Sequence, residues 1–281
     1  MRVTLFGATG LLGQELVKEL SGEQLTALST KDADLRDQAR VREVIRDSRP
    51  EWIVLAAAYT DVDGCESNRD RAFAVNCEGA INVALAAREG RSRLLFLSTD
   101  YVFDGSKGSP YEVSDAKKPI NIYGESKAGA EERLLEILPE VCIARTSWLF
   151  GHAGKCFPAT ILKLASTRAE ISVVHDQHGS PTFTPDLASA LVQLCRASAS
   201  GLVHVTNSGN CTWYDFAAEI LRASGMPTAV KPVTTAEFPR PARRPAYSVL
   251  SPDSLHAYNI RMPEWQDALQ RYLSLAPFTT V

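Results

Sequence analysis

Apolar residues along this chain come alternately in short runs and at helical spacing. Residues 2–6 form an apolar run that stops at Gly7, and Leu12, Leu16, Val17 and Leu20 then recur with the 3.6-residue period of a helix over 11–20. A second strand is predicted over 24–28, and Val41, Val44 and Ile45 mark a helix over 39–48. Residues 52–58 are apolar without interruption, as expected of a strand buried on both faces. An alanine-rich helix over 71–89, a strand over 93–98, a helix over 122–137 and a strand over 141–146 follow. Repeated β-α-β units predict an α/β fold with a doubly wound parallel sheet. From about residue 150 the rhythm breaks. Prolines at 181, 185, 227, 232, 239, 241, 245 and 252 predict a smaller irregular lobe over 151–281, with a return to the sheet around 176–206.

Composition narrows the class. A chain of 281 residues holds about two domains, or one domain with an appended lobe. The net charge is −3 and no basic stripe stands out, so a nucleic-acid partner is not expected. No apolar run reaches membrane-spanning length, and the N-terminus lacks the apolar core of a secretory signal. The six cysteines (65, 77, 142, 156, 195, 211) form no CxxC pair, which predicts reduced thiols in a cytoplasm.

The first chemistry lies between the first strand and the first helix, at Gly7-Ala8-Thr9-Gly10-Leu11-Leu12-Gly13. Glycines there allow a tight turn, close approach to a pyrophosphate, and close packing of helix on sheet. The helix start adds free N–H groups and a positive dipole end. Gly7, Gly10, Leu11, Leu12 and Gly13 are therefore candidate dinucleotide-binding residues, and the domain over 1–150 is expected to be Rossmann-like. The second strand ends in Ser29-Thr30-Lys31, with no carboxylate at its tip to hold a free ribose 2′-hydroxyl. Two hydroxyls and a lysine tolerate a 2′-phosphate, which favours NADPH and leaves NADH admissible. Asp34 and Leu35 come next, where an adenine would lie.

Tyr123 and Lys127 are four residues apart, on one face of the helix over 122–137. A neighbouring ammonium is expected to lower the phenol pKa and make Tyr123 a proton donor to a carbonyl oxygen. Thr99 and Asp100 follow a buried strand, at the sheet end where α/β proteins bind ligands. The Thr99 hydroxyl is placed to bond the same oxygen.

Together, the glycine turn, Ser98-Thr99-Asp100 and Tyr123-x-x-x-Lys127 resemble the extended short-chain dehydrogenase/reductases. Further stretches narrow the resemblance to the dTDP-4-dehydrorhamnose reductases. These are residues 56–63, 99–105, 145–151 and 176–182, and Arg244-Pro245-x-x-Ser248-x-Leu250. The resemblance implies reduction of the C4 ketone of dTDP-4-dehydrorhamnose to dTDP-L-rhamnose, for cell-surface polysaccharide synthesis. It implies Tyr123 as acid, Lys127 as its electrostatic partner and ribose anchor, and Thr99 as substrate hydrogen-bonder. Gly10, Leu11 and Leu12 would wrap the pyrophosphate. Ala58, Tyr59 and Thr60 would follow the cofactor, and Val62, Asp100 and Trp148 would line the sugar pocket. Ser29 stands where the family often has an acidic residue. The family's dimer-bridging magnesium has no matching glutamates here, so no metal is expected, and a homodimer is left open.

Other features are weaker. His175 and His178 signal no third ligand, so a surface or hydrogen-bonded role is expected. The basic stretch 239–245 is either a proline-stiffened surface loop or the source of an arginine for the substrate's diphosphate. Two other functions share these motifs. One is an NDP-sugar epimerase or dehydratase that retains NAD; the other is a non-catalytic, reductase-like regulatory subunit.

Overall fold

The structure is a computed structural model that describes residues 1–275. In chain order, its first half runs β1 (Arg2–Phe6), α1 (Gly13–Glu19), β2 (Gln24–Leu28), α2 (Gln38–Ser48), β3 (Trp52–Leu55), α3 (Val62–Ser67), α4 (Arg69–Phe73), α5 (Gly79–Gly90), β4 (Arg93–Thr99), α6 (Ile122–Ile137) and β5 (Cys142–Thr146). The remainder runs β6 (Leu149–Phe150), α7 (Phe157–Ala165), β7 (Glu170–Val174), β8 (His178–Gly179), β9 (Thr182–Phe183), α8 (Thr184–Arg196), β10 (Gly201–His204), β11 (Cys211–Thr212), α9 (Trp213–Ala223), β12 (Ala229–Val233), α10 (Asp253–His256) and α11 (Trp265–Leu275).

Six strands form one parallel sheet in the order β10-β5-β4-β3-β1-β2. The chain starts inside the sheet, winds out to β2, then crosses back through β3, β4 and β5 to β10. The order reverses between β1 and β3, and in such sheets the crevice at that point receives the ligand. Leu94, Leu95 and Phe96 of β4 are all essentially inaccessible, because helices cover both faces. Leu16 of α1 and Leu187 and Leu191 of α8 pack on one face; Val41, Val83, Ala84 and Leu134 of α2, α5 and α6 pack on the other.

Two expected elements end differently. The third strand stops at Leu55, and residues 56–58 leave the sheet to line a cleft. The predicted single helix over 71–89 is split by a π-turn at Ala74–Glu78. That bulge turns Asn76 inward. Its Oδ1 accepts from the Tyr59 amide at 2.7 Å, and its Nδ2 donates to the Tyr59 carbonyl (3.1 Å) and to Ser126 Oγ (3.0 Å). The irregularity thus fixes the loop after β3 against α6, in keeping with the frequent siting of π-bulges at functional sites.

The later lobe gathers three two-stranded pairs with α7, α9 and α11 around Phe150, Phe183, Phe216 and Trp265. Pro185 lies in the first turn of α8, where no helical N–H is lost. Pro232 lies in β12, which among the described residues pairs with β7 alone, so no second ladder is broken there. Residues 276–281, the end of the predicted lobe, lie outside the described residues. No helix among the described residues is long and apolar enough to cross a membrane.

Candidate active site

One cleft of about 650 Å³ opens at the carboxyl ends of the sheet strands, and all the sequence-predicted site residues line it. It is within the usual size range for small-molecule sites.

At the end of β1, Gly7 takes φ +92°, and its amide and that of Ala8 both donate to the Leu28 carbonyl. A Cβ on Gly7 would lie 2.6 Å from the Ala57 amide nitrogen. A Cβ on Gly13 would lie 1.9 Å from the Gly7 carbonyl oxygen. Gly13 thereby lets α1 start against β1 and aim its amino end at the cleft. Gly13→Ala is expected to destabilise the fold by about 1–3 kcal/mol, because a backbone carbonyl cannot swing aside as a side chain can. It should also weaken dinucleotide binding by tenfold or more; thermal melting and fluorescence titration check the two effects.

The strand-tip expectation needs correcting. Lys31 is exposed and does not line the cleft, whereas Arg36 does. The Arg36 guanidinium grips Asp34 through Nε to Oδ1 (3.0 Å) and Nη2 to Oδ2 (2.6 Å), which holds the Asp34 carboxyl below its ordinary pKa. A carboxylate also reaches the strand tip from three residues on. Asp32 Oδ2 accepts from the Ser29 amide (2.8 Å) and hydroxyl (2.6 Å), capping the turn rather than lining the cleft.

The reactive groups converge farther along the sheet. Thr99 is the last residue of β4, and Asp100 opens a short 3-10 turn, Asp100–Val102. Asn121 caps α6 through the Gly124 amide (2.8 Å), which starts the helix one residue before Tyr123. Lys127 is 2% exposed, with Nζ 3.9 Å from the centre of the Phe96 ring. Burial drives its pKa down to about 7, against the charges of Glu131 and Cys77. Tyr123 also departs from expectation. Burial and the Asp100 charge push its phenol up, the Thr99 hydroxyl opposes this, and the Lys127 ammonium does not pull it down. A raised pKa keeps the phenol protonated at neutral pH, the state an acid needs.

The lobe supplies the facing wall. Trp148 sits in the left-handed region (φ +48°) and stacks on Trp213, with ring centres 3.5 Å apart. Gly179 leaves room for that ring, since a Cβ there would fall 2.3 Å from Trp148 Cε2. Asp100 Oδ2 accepts from Ser248 Oγ at 2.6 Å, which ties the late chain to the end of β4. The basic stretch is anchored too: Arg240 and Arg244 both pair with Asp63. Burial raises the Asp63 pKa, but the two guanidiniums outweigh it and bring it to about 2. His175 and His178 do not line the cleft, and the amide of His178 donates to the Ala246 carbonyl.

Sequence reasoning missed four contributors. Arg36 and Trp213 carry no local motif. Asn76 is hidden inside a helical pattern. Thr146, at the end of β5, lines the cleft with a buried hydroxyl that has no hydrogen-bond partner. Among the described residues no cluster of His, Cys, Asp and Glu could hold a metal ion.

Three comparisons bear on what this cleft does. Residues 1–277 match the family model described as "RmlD substrate binding domain". The chain is 42% identical to the spore coat polysaccharide biosynthesis protein SpsK of Bacillus subtilis (97% of this chain, 96% of that one). It is 41% identical to the dTDP-4-dehydrorhamnose reductase of Streptomyces griseus (94% and 90%). Among solved structures it resembles the dTDP-4-dehydrorhamnose reductase of Bacillus anthracis in complex with NADP, at TM-score 0.95 and 39% identity over 98% of this chain and 99% of that one.

Proposed function

The chain belongs to the RmlD substrate binding domain family, and on that footing we propose that it is an NADPH-dependent reductase of dTDP-4-dehydrorhamnose, yielding dTDP-L-rhamnose. The observation that carries this reading is the meeting of Thr99, Tyr123 and Lys127 in the same cleft as the glycine turn.

The residues present fit a dinucleotide. The turn at Gly7 and Gly13 has no space for side chains where the backbone must approach a pyrophosphate, and the Thr146 hydroxyl lacks a partner of its own. Residues 1–150 would bind NADP(H), and the lobe from 151 would bind the sugar nucleotide. Gly10, Leu11 and Leu12 would face the pyrophosphate, and Ser29, Asp34, Leu35 and Arg36 the adenosine end. Ala58, Tyr59 and Thr60 would line the middle of the cofactor, and Lys127 its nicotinamide ribose. When bound, NADPH supplies the hydride that C4 of the sugar receives.

This chain's residues do the rest. Trp148 and Val62 would hold the sugar in place, which lowers the barrier by orientation. As negative charge grows on the C4 oxygen, Tyr123 gives up its proton to it. Thr99 would bond the same oxygen, while Lys127, whose ammonium lies over the Phe96 ring and does not lower the Tyr123 pKa, would serve the nicotinamide ribose. All six cysteines are free and buried, in keeping with a cytoplasmic enzyme.

The test is spectrophotometric. Purified protein should consume NADPH only when the keto sugar nucleotide is added, and NADH more slowly. Protein that arrives with NAD bound and shows no net consumption would instead be an epimerase.

A further inference from the structure

Thr99 has one hydroxyl proton, and the geometry commits it. Thr99 Oγ1 donates to Asp100 Oδ1 at 3.0 Å, and the same oxygen accepts from the Tyr101 amide at 3.2 Å. While Asp100 is a carboxylate, it can only accept. The Thr99 proton is then unavailable to a substrate oxygen, and a full negative charge stands beside the Tyr123 phenol, where an alkoxide must develop. Protonation of Asp100 at Oδ1 offers a way out: Asp100 would then donate to Thr99 Oγ1, which has a second lone pair beside the one that takes the Tyr101 amide, and the Thr99 proton would turn to the substrate. Ser248 Oγ donates to Asp100 Oδ2 at 2.6 Å in either state.

We propose that Asp100 is a positioning residue that switches Thr99: protonated, it frees the Thr99 hydroxyl to bond the substrate ketone, and ionised, it retains it. This rests on the reductase reading above. Asp100 is 2% exposed, and burial raises its pKa to about 7 against the bonds from Ser248 and Thr99. The titratable and charged groups around it are Tyr123 and Lys127 of α6, Tyr101 of the 3-10 turn, Arg244 beside Tyr101, and His178 of β8. Of these, Lys127 would also lose activity as it deprotonates near neutral pH, so the test must separate the two.

The experiment is the pH profile of kcat/KM with NADPH and the keto sugar nucleotide for wild type, Asp100→Asn and Ser248→Ala. Wild type should fall by up to about a hundredfold per pH unit once Asp100 and Lys127 have both lost their protons. Asp100→Asn cannot ionise, and its amide donates to Thr99 as the acid would, so only the Lys127 step should remain, about tenfold per pH unit. Ser248→Ala removes a bond to the charged form, so the Asp100 step should move to higher pH. A profile that Asp100→Asn leaves unchanged from wild type, or an unshifted profile in Ser248→Ala, would assign the titration to Lys127 and overturn the proposal. A folded but inactive Asp100→Asn would overturn it as well. Should the wild type fail to reduce this sugar at all, the reductase reading falls first. The switch is then read without turnover, from the infrared band of a buried neutral carboxyl. That band should be present at pH 6, absent at pH 9 and missing from Asp100→Asn; its absence at every pH would sink the switch by itself.

Discussion

Tyr123→Phe is expected to lower kcat by about 10²–10⁴-fold, the usual contribution of a general acid, while NADPH affinity stays close to that of wild type. The ring keeps its edge-on contact with Tyr101, at 6.1 Å between centres, so the pocket retains its shape. Only the proton donor is lost. Stopped-flow turnover with fluorescence titration of NADPH separates the two effects. A fall in kcat with no fall in affinity identifies an interaction made in the transition state. The raised phenol pKa carries a second consequence. Tyr123 stays protonated across the neutral range, so loss of the acid does not set the alkaline limb near pH 7.

Arg145→Ala is expected to cost about 3–5 kcal/mol of stability, a drop in melting temperature on the order of 10 °C. Arg145 and Glu131 are 1% and 0% exposed, and they meet through two bonds, Nε to Oε1 at 2.9 Å and Nη2 to Oε2 at 2.7 Å. Ser98 Oγ adds a third bond to Glu131 at 2.6 Å, and the Lys117 ammonium stands 3.6 Å away. Removing the guanidinium leaves a buried carboxylate with little compensation. The double variant Arg145→Met, Glu131→Leu should recover most of the loss, since neither charge is then stranded. The pair also touches function. Glu131 lies one helical turn beyond Lys127, and its charge opposes the fall of the Lys127 pKa. In the double variant, then, stability should return while Lys127 deprotonates at lower pH. Differential scanning fluorimetry and a pH profile report these separately.

The sheet was legible because strands buried on both faces leave uninterrupted apolar runs, as at 94–97, and because the intervening helices keep a clean period. The helix Ile122–Ile137 was readable to its ends. Its face bearing Tyr123 and Lys127 follows from helical geometry alone. The π-turn was not legible, since local sequence at 74–78 is ordinary helix and the bulge is set by what Asn76 bonds across the fold. Strands of two residues in the lobe are too short to show a period. Trp213 joins the cleft only because α9 folds back against the loop after β5. Arg36 and Asp32 were missed for a related reason: a turn brings side chains from beyond the strand tip onto it, and spacing along the strand does not record that. The expected lowering of the Tyr123 pKa failed because helical spacing fixes a shared face, not the direction of an ammonium. Here Lys127 points over Phe96.

Direct hydride transfer from NADPH to C4 of the sugar, with the proton supplied by Tyr123, is read out with NADPH carrying deuterium at the transferred position and mass and NMR analysis of the product. One deuterium is expected, on C4 of the reduced sugar, together with stoichiometric NADP. A product without deuterium, or a sugar isomer formed with no net oxidation of the cofactor, would contradict it.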